Sequence, residues 1–383
     1  MNYSKRSDTE RSRSVLQFLT TVYFGHGARD ELPQLLTKAG VQRPLWVTDP
    51  GLIQSGVFQR VEQTLAEPGS FPVFSDTPMN PTETAAVAGA TQYREQACDC
   101  IIGIGGGAAL DQAKAIAILA SNPGPLWNYS NRHSTPRSIA EAPSLFLVAT
   151  TAGTGSEVGR SAVILFDNGI KAGVRCPDLV SAAICDPELT MGLPPFITAA
   201  TGMDALSHCI ETYCSASINP PADAIALDGM QLIFSSIERA VQHGQDRDAR
   251  WNMMMGSLEG AICFQKGLGS VHALAHPLGA QGFHHGTLNA ILLPHVLTYN
   301  REWIGHKWGE IAKRSGWGPE ADLGQCLSTM IQRLGLPQKL GAIGISRNCI
   351  EMIAEQALQD NAHKTNPRPM AQGDYLHILE QAF

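Results

Sequence analysis

The sequence is short of the features that mark several protein classes. Charged residues fill only 16% of its 383 positions, and the balance is acidic, −7 with a pI near 5.9. A nucleic-acid binder would want a basic stripe, so that class is excluded. No apolar run reaches membrane-spanning length, which excludes a membrane partner. The opening residues, MNYSKRSDTERSRSV, carry positive charge with no apolar segment behind it, so they do not read as a secretory leader. The nine cysteines are scattered and odd in number, and none forms a C-x-x-C pair. Neither a disulfide framework nor a thiolate metal site is expected from them. Such usage fits buried thiols in a reducing compartment, so the expected location is the cytoplasm.

What is present points to a large globule. Hydrophobic residues at 44% can fill cores, and a chain of this length defaults to two domains. Residues 1–14 read as a disordered tail. From 15 to 193, short apolar runs alternate with helical patterns. Strands are expected at 15–25, 44–48, 71–74, 99–104 and 144–149. Helices are expected at 30–39, 56–65, 82–96 and 110–119. Alternation of this kind predicts an α/β domain with a parallel, Rossmann-like sheet and crossover helices. From 194 to 383 only helical patterns remain, so an all-α domain is expected there.

Two loops in the first part carry chemistry. Gly103-Ile104-Gly105-Gly106-Gly107-Ala108 matches G-x-G-x-x-G/A between an expected strand and an expected helix. Gly105, Gly106 and Gly107 would let the backbone approach phosphate oxygens, and the helix start at Leu110–Asp111 would offer free N–H groups. A tight turn that only packs helix on strand is the alternative. No Asp or Glu occurs from Gln112 to Ala140, so the ribose-binding acid expected about 20 residues on is missing. Asp49, at the end of the 44–48 strand, could supply it from a neighbouring strand. The second loop, Thr150-Thr151-Ala152-Gly153-Thr154-Gly155-Ser156, also follows a strand. Small hydroxyl residues there suit a ligand crevice, and two such loops favour a bound nucleotide.

In the second part, the run Val271 to Asn289 holds four of the 12 histidines. His272 and His276 are four apart and share a helix face. Pro277 and Gly279 are expected to end that helix, and His285 to sit on a following turn. Asp204 and His208 make a second i,i+4 pair. One carboxylate and three imidazoles, Asp204, His208, His272 and His285, suit Fe(II) or Zn(II) far better than Ca(II) or Mg(II). Each pair alone would read as an ordinary helical polar pair.

These stretches together resemble one family. The segments DCIIGIGGGAALDQAKAIA (99–117), TTAGTGSEV (150–158), DPELTMGLPP (186–195), GMDALSH (202–208) and HALAHPLG (272–279), with His285-Gly286, look like the iron-containing, group III alcohol dehydrogenases. Within that family the chain looks most like the 4-hydroxybutyrate dehydrogenase branch. The resemblance implies a dehydroquinate synthase-like architecture with the active site between the two domains. It implies NAD and Fe(II), with Zn(II) as the alternative metal, and a small alcohol or aldehyde substrate. A homodimer or higher homo-oligomer is implied as well. Asp204, His208, His272 and His285 would hold the metal. His276 would stand beside it as a proton relay. Gly105, Gly106, Gly107, the Asp111 region, Thr150, Thr151 and Thr154 would hold the cofactor. Asp49 would take the adenine ribose hydroxyls and repel a 2′-phosphate, favouring NAD over NADP. Ala108 replaces the family's serine. The rival readings are a metal-independent maleylacetate reductase on the same fold and a catalytically idle metal-binding protein. A carboxylated substrate would want a cation facing the metal, for which Lys266 and Lys364 are the candidates.

Overall fold

The computed structural model describes residues 20–383. The expected tail and the start of the first expected strand lie outside them. The chain runs β1 (Val22–Phe24), α1 (Leu32–Ala39), β2 (Pro44–Val47), α2 (Pro50–Gln54), α3 (Val57–Glu62), β3 (Val73–Phe74), α4 (Glu83–Glu95), β4 (Cys100–Gly105), α5 (Gly107–Ser121) and β5 (Ser144–Ala149). A hairpin of β6 (Ser161–Leu165) and β7 (Lys171–Arg175) precedes β8 (Ala182–Cys185). Local chemistry sets these boundaries. Thr82 caps α4 by accepting from the Ala85 N–H at 3.2 Å, and Asp49 caps α2 by accepting from Leu52 at 2.9 Å.

Six strands form one parallel sheet in the order β1-β8-β5-β4-β2-β3. Buried on both faces, β2, β4 and β5 are continuous apolar runs, which is why they were legible. In a parallel sheet all carboxyl ends share one edge. Adjacent strands β2, β4 and β5 therefore deliver Asp49, the glycine loop and the threonine loop to the same place. The β6–β7 hairpin and β8 were not expected. Yet β6 and β7 alternate buried and half-buried positions around Asp167-Asn168-Gly169, a period-two pattern with a turn signal.

Beyond Cys185 the described residues contain no strand. The helices are α6 (Pro195–Cys214), α7 (Pro220–Gln242), α8 (Arg247–Cys263), α9 (Ser270–Ala280), α10 (His285–Tyr299), α11 (Arg301–Ile304), α12 (Lys307–Arg314), α13 (Leu323–Arg333), α14 (Ile350–Gln359) and α15 (Gln372–Ala382). Two details differ from expectation. Helix α9 continues through Pro277 to Ala280, losing one backbone hydrogen bond near its end. His285 is the first residue of α10 and not part of a turn. Seven cysteines are buried, while Cys326 and Cys349 are half-buried.

One polar pair between α7 and α8 has a consequence for stability. Burial, and then Asp228 nearby, push the Glu259 carboxyl up to about 8. A carboxyl raised in the folded state favours folding below its unfolded value of 4.5, and that contribution is lost as pH rises through about 8. Glu259→Gln should therefore raise the unfolding midpoint by about 1–3 °C at pH 9 and leave it little changed at pH 5. Thermal melts at the two pH values check this; an equal shift at both would contradict it.

Candidate active site

The glycine loop is built for close approach. Gly105 has φ 149°, a conformation that side chains disfavour. A Cβ there would meet the Ala109 Cβ at 2.7 Å, and one on Gly107 would meet the Thr154 Oγ1 at 2.7 Å. A Cβ on Gly106 would come within 3.2 Å of Thr151. The two loops thus face each other closely enough that only glycine leaves a groove. Helix α5 starts at this groove with no side chain capping it, so its first N–H groups are free for a phosphate. This cradle and Asp49, which lines the same cavity, fit a dinucleotide.

The threonine loop is pinned from below. Lys114, fully buried on α5, donates to the carbonyls of Ser156 (2.6 Å), Gly159 and Ser161 (both 3.1 Å). Asp111 accepts from the Ser156 hydroxyl and from the Val163 N–H at 3.1 Å. Asp111 lines the cavity, but one oxygen already holds the loop at Ser156 and the other holds Val163 of β6. Thr151 and Thr154 also line it. Thr150 is buried, and its N–H donates to the Gly105 carbonyl at 3.0 Å. Gly153 and Gly155 press on Thr201 of α6 and Ala261 of α8, which docks the loop on the helices.

That docking brings the histidine cluster to the same cavity of about 780 Å³. Asp204 and His208 come from α6, His272 and His276 from α9, and His285 from the start of α10. The Nε2 atoms of His208, His272 and His285 stand 3.7, 3.7 and 3.6 Å from one oxygen, Asp204 Oδ1. Ligand atoms on bonds of about 2.1 Å around a tetrahedral centre lie roughly 3.4 Å apart, so the spacing fits a shared divalent ion. Asp204, His272 and His285 offer atoms all within 4.8 Å of one another. His208 is stacked on His272 with ring centroids 4.6 Å apart. The donor set of one carboxylate and three imidazoles is one for Fe(II) or Zn(II).

The charges in the cluster shift one another in opposite directions. Burial would raise the Asp204 carboxyl, but His208, His285 and His272 hold it well below the usual carboxylate range. Burial lowers His208 to about 4 and His285 well below its ordinary value. His272 goes the other way, up to about 9, because Asp204 and Glu211 outweigh its burial.

Neighbours that sequence reading did not single out complete the site. Glu211 accepts from His272 Nδ1 at 2.6 Å, and Asp360 from His276 Nδ1 at 2.9 Å. The Asn289 amide nitrogen donates to Asp204 Oδ1 at 2.6 Å, and Thr154 Oγ1 reaches Asp204 Oδ2 at 3.3 Å. Glu211 was discoverable, because it extends the Asp204–His208 face by one more turn. Asp360 gave no local signal. His276 lies beside His285, with parallel rings 5.6 Å apart, and lines the cavity. His284 caps α10, with its Nδ1 accepting from Thr287 N–H at 3.4 Å.

Neither lysine suggested for a carboxylated substrate faces this cavity. Lys266 is buried against Asp223 and the Thr212 carbonyl, and Lys364 binds Asn361 at the surface. The cations lining the cavity are Lys171 and Arg132. Lys171 binds Asn80 Oδ1 at 2.8 Å, and burial lowers its pKa. Arg132 binds the Gln359 carbonyl and side-chain amide. No carboxylate pairs with either among the described residues.

Comparison with known proteins identifies the family. The family model described as "Iron-containing alcohol dehydrogenase" matches residues 20–187, and that of "Fe-containing alcohol dehydrogenase family, C-terminal" matches 198–383. A 4-hydroxybutyrate dehydrogenase of Cupriavidus necator is 44% identical, over 96% of this chain and 100% of that protein. A crystal structure of 1,3-propanediol oxidoreductase superposes with TM-score 0.91 at 33% identity, covering 97% of this chain and 100% of that one. Sulfoacetaldehyde reductase from Bifidobacterium kashiwanohense, in complex with NAD+, gives TM-score 0.87 at 26% identity, over 97% and 99% of the two chains. Among the described residues no helix is long and apolar enough to cross a membrane. The chain therefore belongs to the iron-containing alcohol dehydrogenase family and is a metal-dependent, NAD(H)-linked enzyme that interconverts an alcohol and its aldehyde.

Proposed function

We propose that the enzyme interconverts 4-hydroxybutyrate and succinate semialdehyde, with the metal on Asp204, His208, His272 and His285. The observation that carries the substrate is a cavity that holds two cations with no anionic partner among the described residues, beside a carboxylate-and-imidazole cage. Both cations are half-buried, and a partly desolvated cation without a counter-ion favours an anionic ligand. Two of the relatives act on molecules with such a group, 4-hydroxybutyrate in one and sulfoacetaldehyde in the other.

Bound at this cage, a divalent metal supplies Lewis-acid polarisation of the substrate oxygen, and the nicotinamide supplies or takes the hydride. The chain's own residues do the rest. Gly105, Gly106 and Gly107, with Thr151 and Thr154, hold the pyrophosphate end, and Asp49 takes the ribose hydroxyls. Thr154 bonds to Asp204, which ties the cofactor loop to the cage. Asp360 holds His276 Nδ1, which leaves Nε2 to exchange a proton with the substrate oxygen or a water. We read residues 15–193 as the nucleotide-holding part and 194–383 as the metal-holding part. We also place the enzyme in the cytoplasm as a homo-oligomer. The free cysteines support the first, and strand β1, which has no partner on its outer side among the described residues, supports the second.

The test is an NADH-oxidation screen after Fe(II) reconstitution. Succinate semialdehyde should give a kcat/KM about 10-fold or more above butanal, its uncharged match in chain length. Equal or better turnover of butanal would remove the carboxylate from the account and leave the alcohol dehydrogenase chemistry standing.

A further inference from the structure

We infer that Glu211 is a positioning residue that sets metal affinity by fixing both the tautomer of His272 and the register of α9 on α6. The inference rests on His272 being a metal ligand. Asp204, His208 and Glu211 fall at i, i+4 and i+7 of α6 and share one face. The first two point to the cage. Glu211, only 5% exposed, points instead to the start of α9.

There it makes three contacts with two consecutive residues. Oε1 accepts from the Val271 N–H at 2.7 Å, and Oε2 accepts from His272 Nδ1 at 2.6 Å and the His272 N–H at 3.4 Å. Helix α9 has no cap of its own, because Gly269 precedes it. A Cβ on Gly269 would stand 2.8 Å from Glu211 Oε1, so a capping side chain there would collide with the carboxylate. A carboxylate from a different helix thus supplies the cap, and negative charge suits a helix N-terminus.

The same carboxylate accepts the proton on Nδ1 of the imbedded imidazole. With Nδ1 committed to Glu211, Nε2 is the nitrogen left for a metal, and it is aimed at Asp204 Oδ1, 3.7 Å away. One side chain therefore ties together the two helices that carry Asp204, His208 and His272. Glu211→Gln separates this role from simple filling of space. The amide can still accept from Val271 through its oxygen. Its NH2 cannot accept from Nδ1, so His272 is pushed towards the tautomer with a proton on the metal-facing nitrogen.

The experiment measures Zn(II) and Fe(II) affinity of the full-length protein by chelator competition, with the visible spectrum of the Co(II)-loaded form as a second readout. Glu211→Gln should weaken Zn(II) and Fe(II) binding about 10- to 100-fold and shift the Co(II) bands. Glu211→Asp, which keeps the acceptor, should recover part of the loss. Asn366→Ala is the control. Asn366 Oδ1 accepts from the Ser270 N–H at 3.1 Å, at the same helix start, without touching the imidazole. That variant should melt earlier, with metal affinity within about threefold of wild type. Unchanged affinity and spectrum in Glu211→Gln would overturn the inference. So would an equal loss of affinity in Asn366→Ala, which would make the effect one of helix capping alone. A wild type that takes up none of these metals would overturn the ligand assignment itself.

Discussion

His272→Ala should abolish stoichiometric metal binding and lower NADH-linked aldehyde reduction by roughly 10³-fold or more, since Lewis-acid polarisation is worth several kcal/mol of barrier. The reasons are geometric. His272 is the deepest of the imidazoles, 1% exposed, and is held by Glu211 on one nitrogen while the other faces Asp204. Removing it leaves one carboxylate and two imidazoles, and His208 loses the ring it stacks on. Elemental analysis and steady-state turnover after Fe(II) or Zn(II) reconstitution check the result. Circular dichroism should show the helices intact. A variant that still holds one metal per chain would refute the assignment. His284→Ala is the informative partner, because His284 caps α10 and its Nδ1 accepts from Thr287. It should lose about 0.5–1 kcal/mol of stability and keep its metal.

Asp49→Ser should erase most of the preference for NADH over NADPH, a change in the kcat/KM ratio of about 10²-fold. Asp49 sits at the carboxyl end of β2, next to β4, with Oδ2 3.5 Å from the Cβ position of Gly105. It thereby borders the glycine cradle, where it would repel a 2′-phosphate and hydrogen-bond a ribose hydroxyl. Serine is the right replacement, because Asp49 also caps α2 through the Leu52 N–H, and serine is as good an N-cap. Alanine would confound lost charge with a loosened helix. An unchanged cofactor ratio in Asp49→Ser would show that the acid does not face the adenine ribose.

The features that these variants probe differ in how visible they were beforehand. β2, β4 and β5 are buried on both faces, so their apolar runs stood out, and each ended in the motif that mattered. The residues that converge on the cavity stood out because α6 carries Asp204 and His208, and α9 carries His272 and His276, at helical spacing. The loop around His284 and His285 was not, since the sequence could not say that α10 begins at His285 and that His284 is its cap. Pro277 misled for a physical reason: near the end of a helix its missing N–H removes only one bond, and α9 tolerates that. Residues far apart in sequence were the hardest to see. Asp360 meets His276 across 84 positions, and Lys171 reaches the cavity from a hairpin whose strands went unread. Sequence alone does not say which lysines have partners, so Lys266 and Lys364 look as good as any other. The fold gives Lys266 a buried aspartate and leaves Lys171 with a neutral amide.

The most direct test of the account is anomalous diffraction at the iron edge from crystals grown with Fe(II) and NAD+. One peak is predicted, about 2.0–2.3 Å from Asp204, His208 Nε2, His272 Nε2 and His285 Nε2, with NAD+ lying along the Gly105–Gly107 loop. A peak bound through His284 or His276 in place of His285, or iron found only outside the cavity, would contradict it.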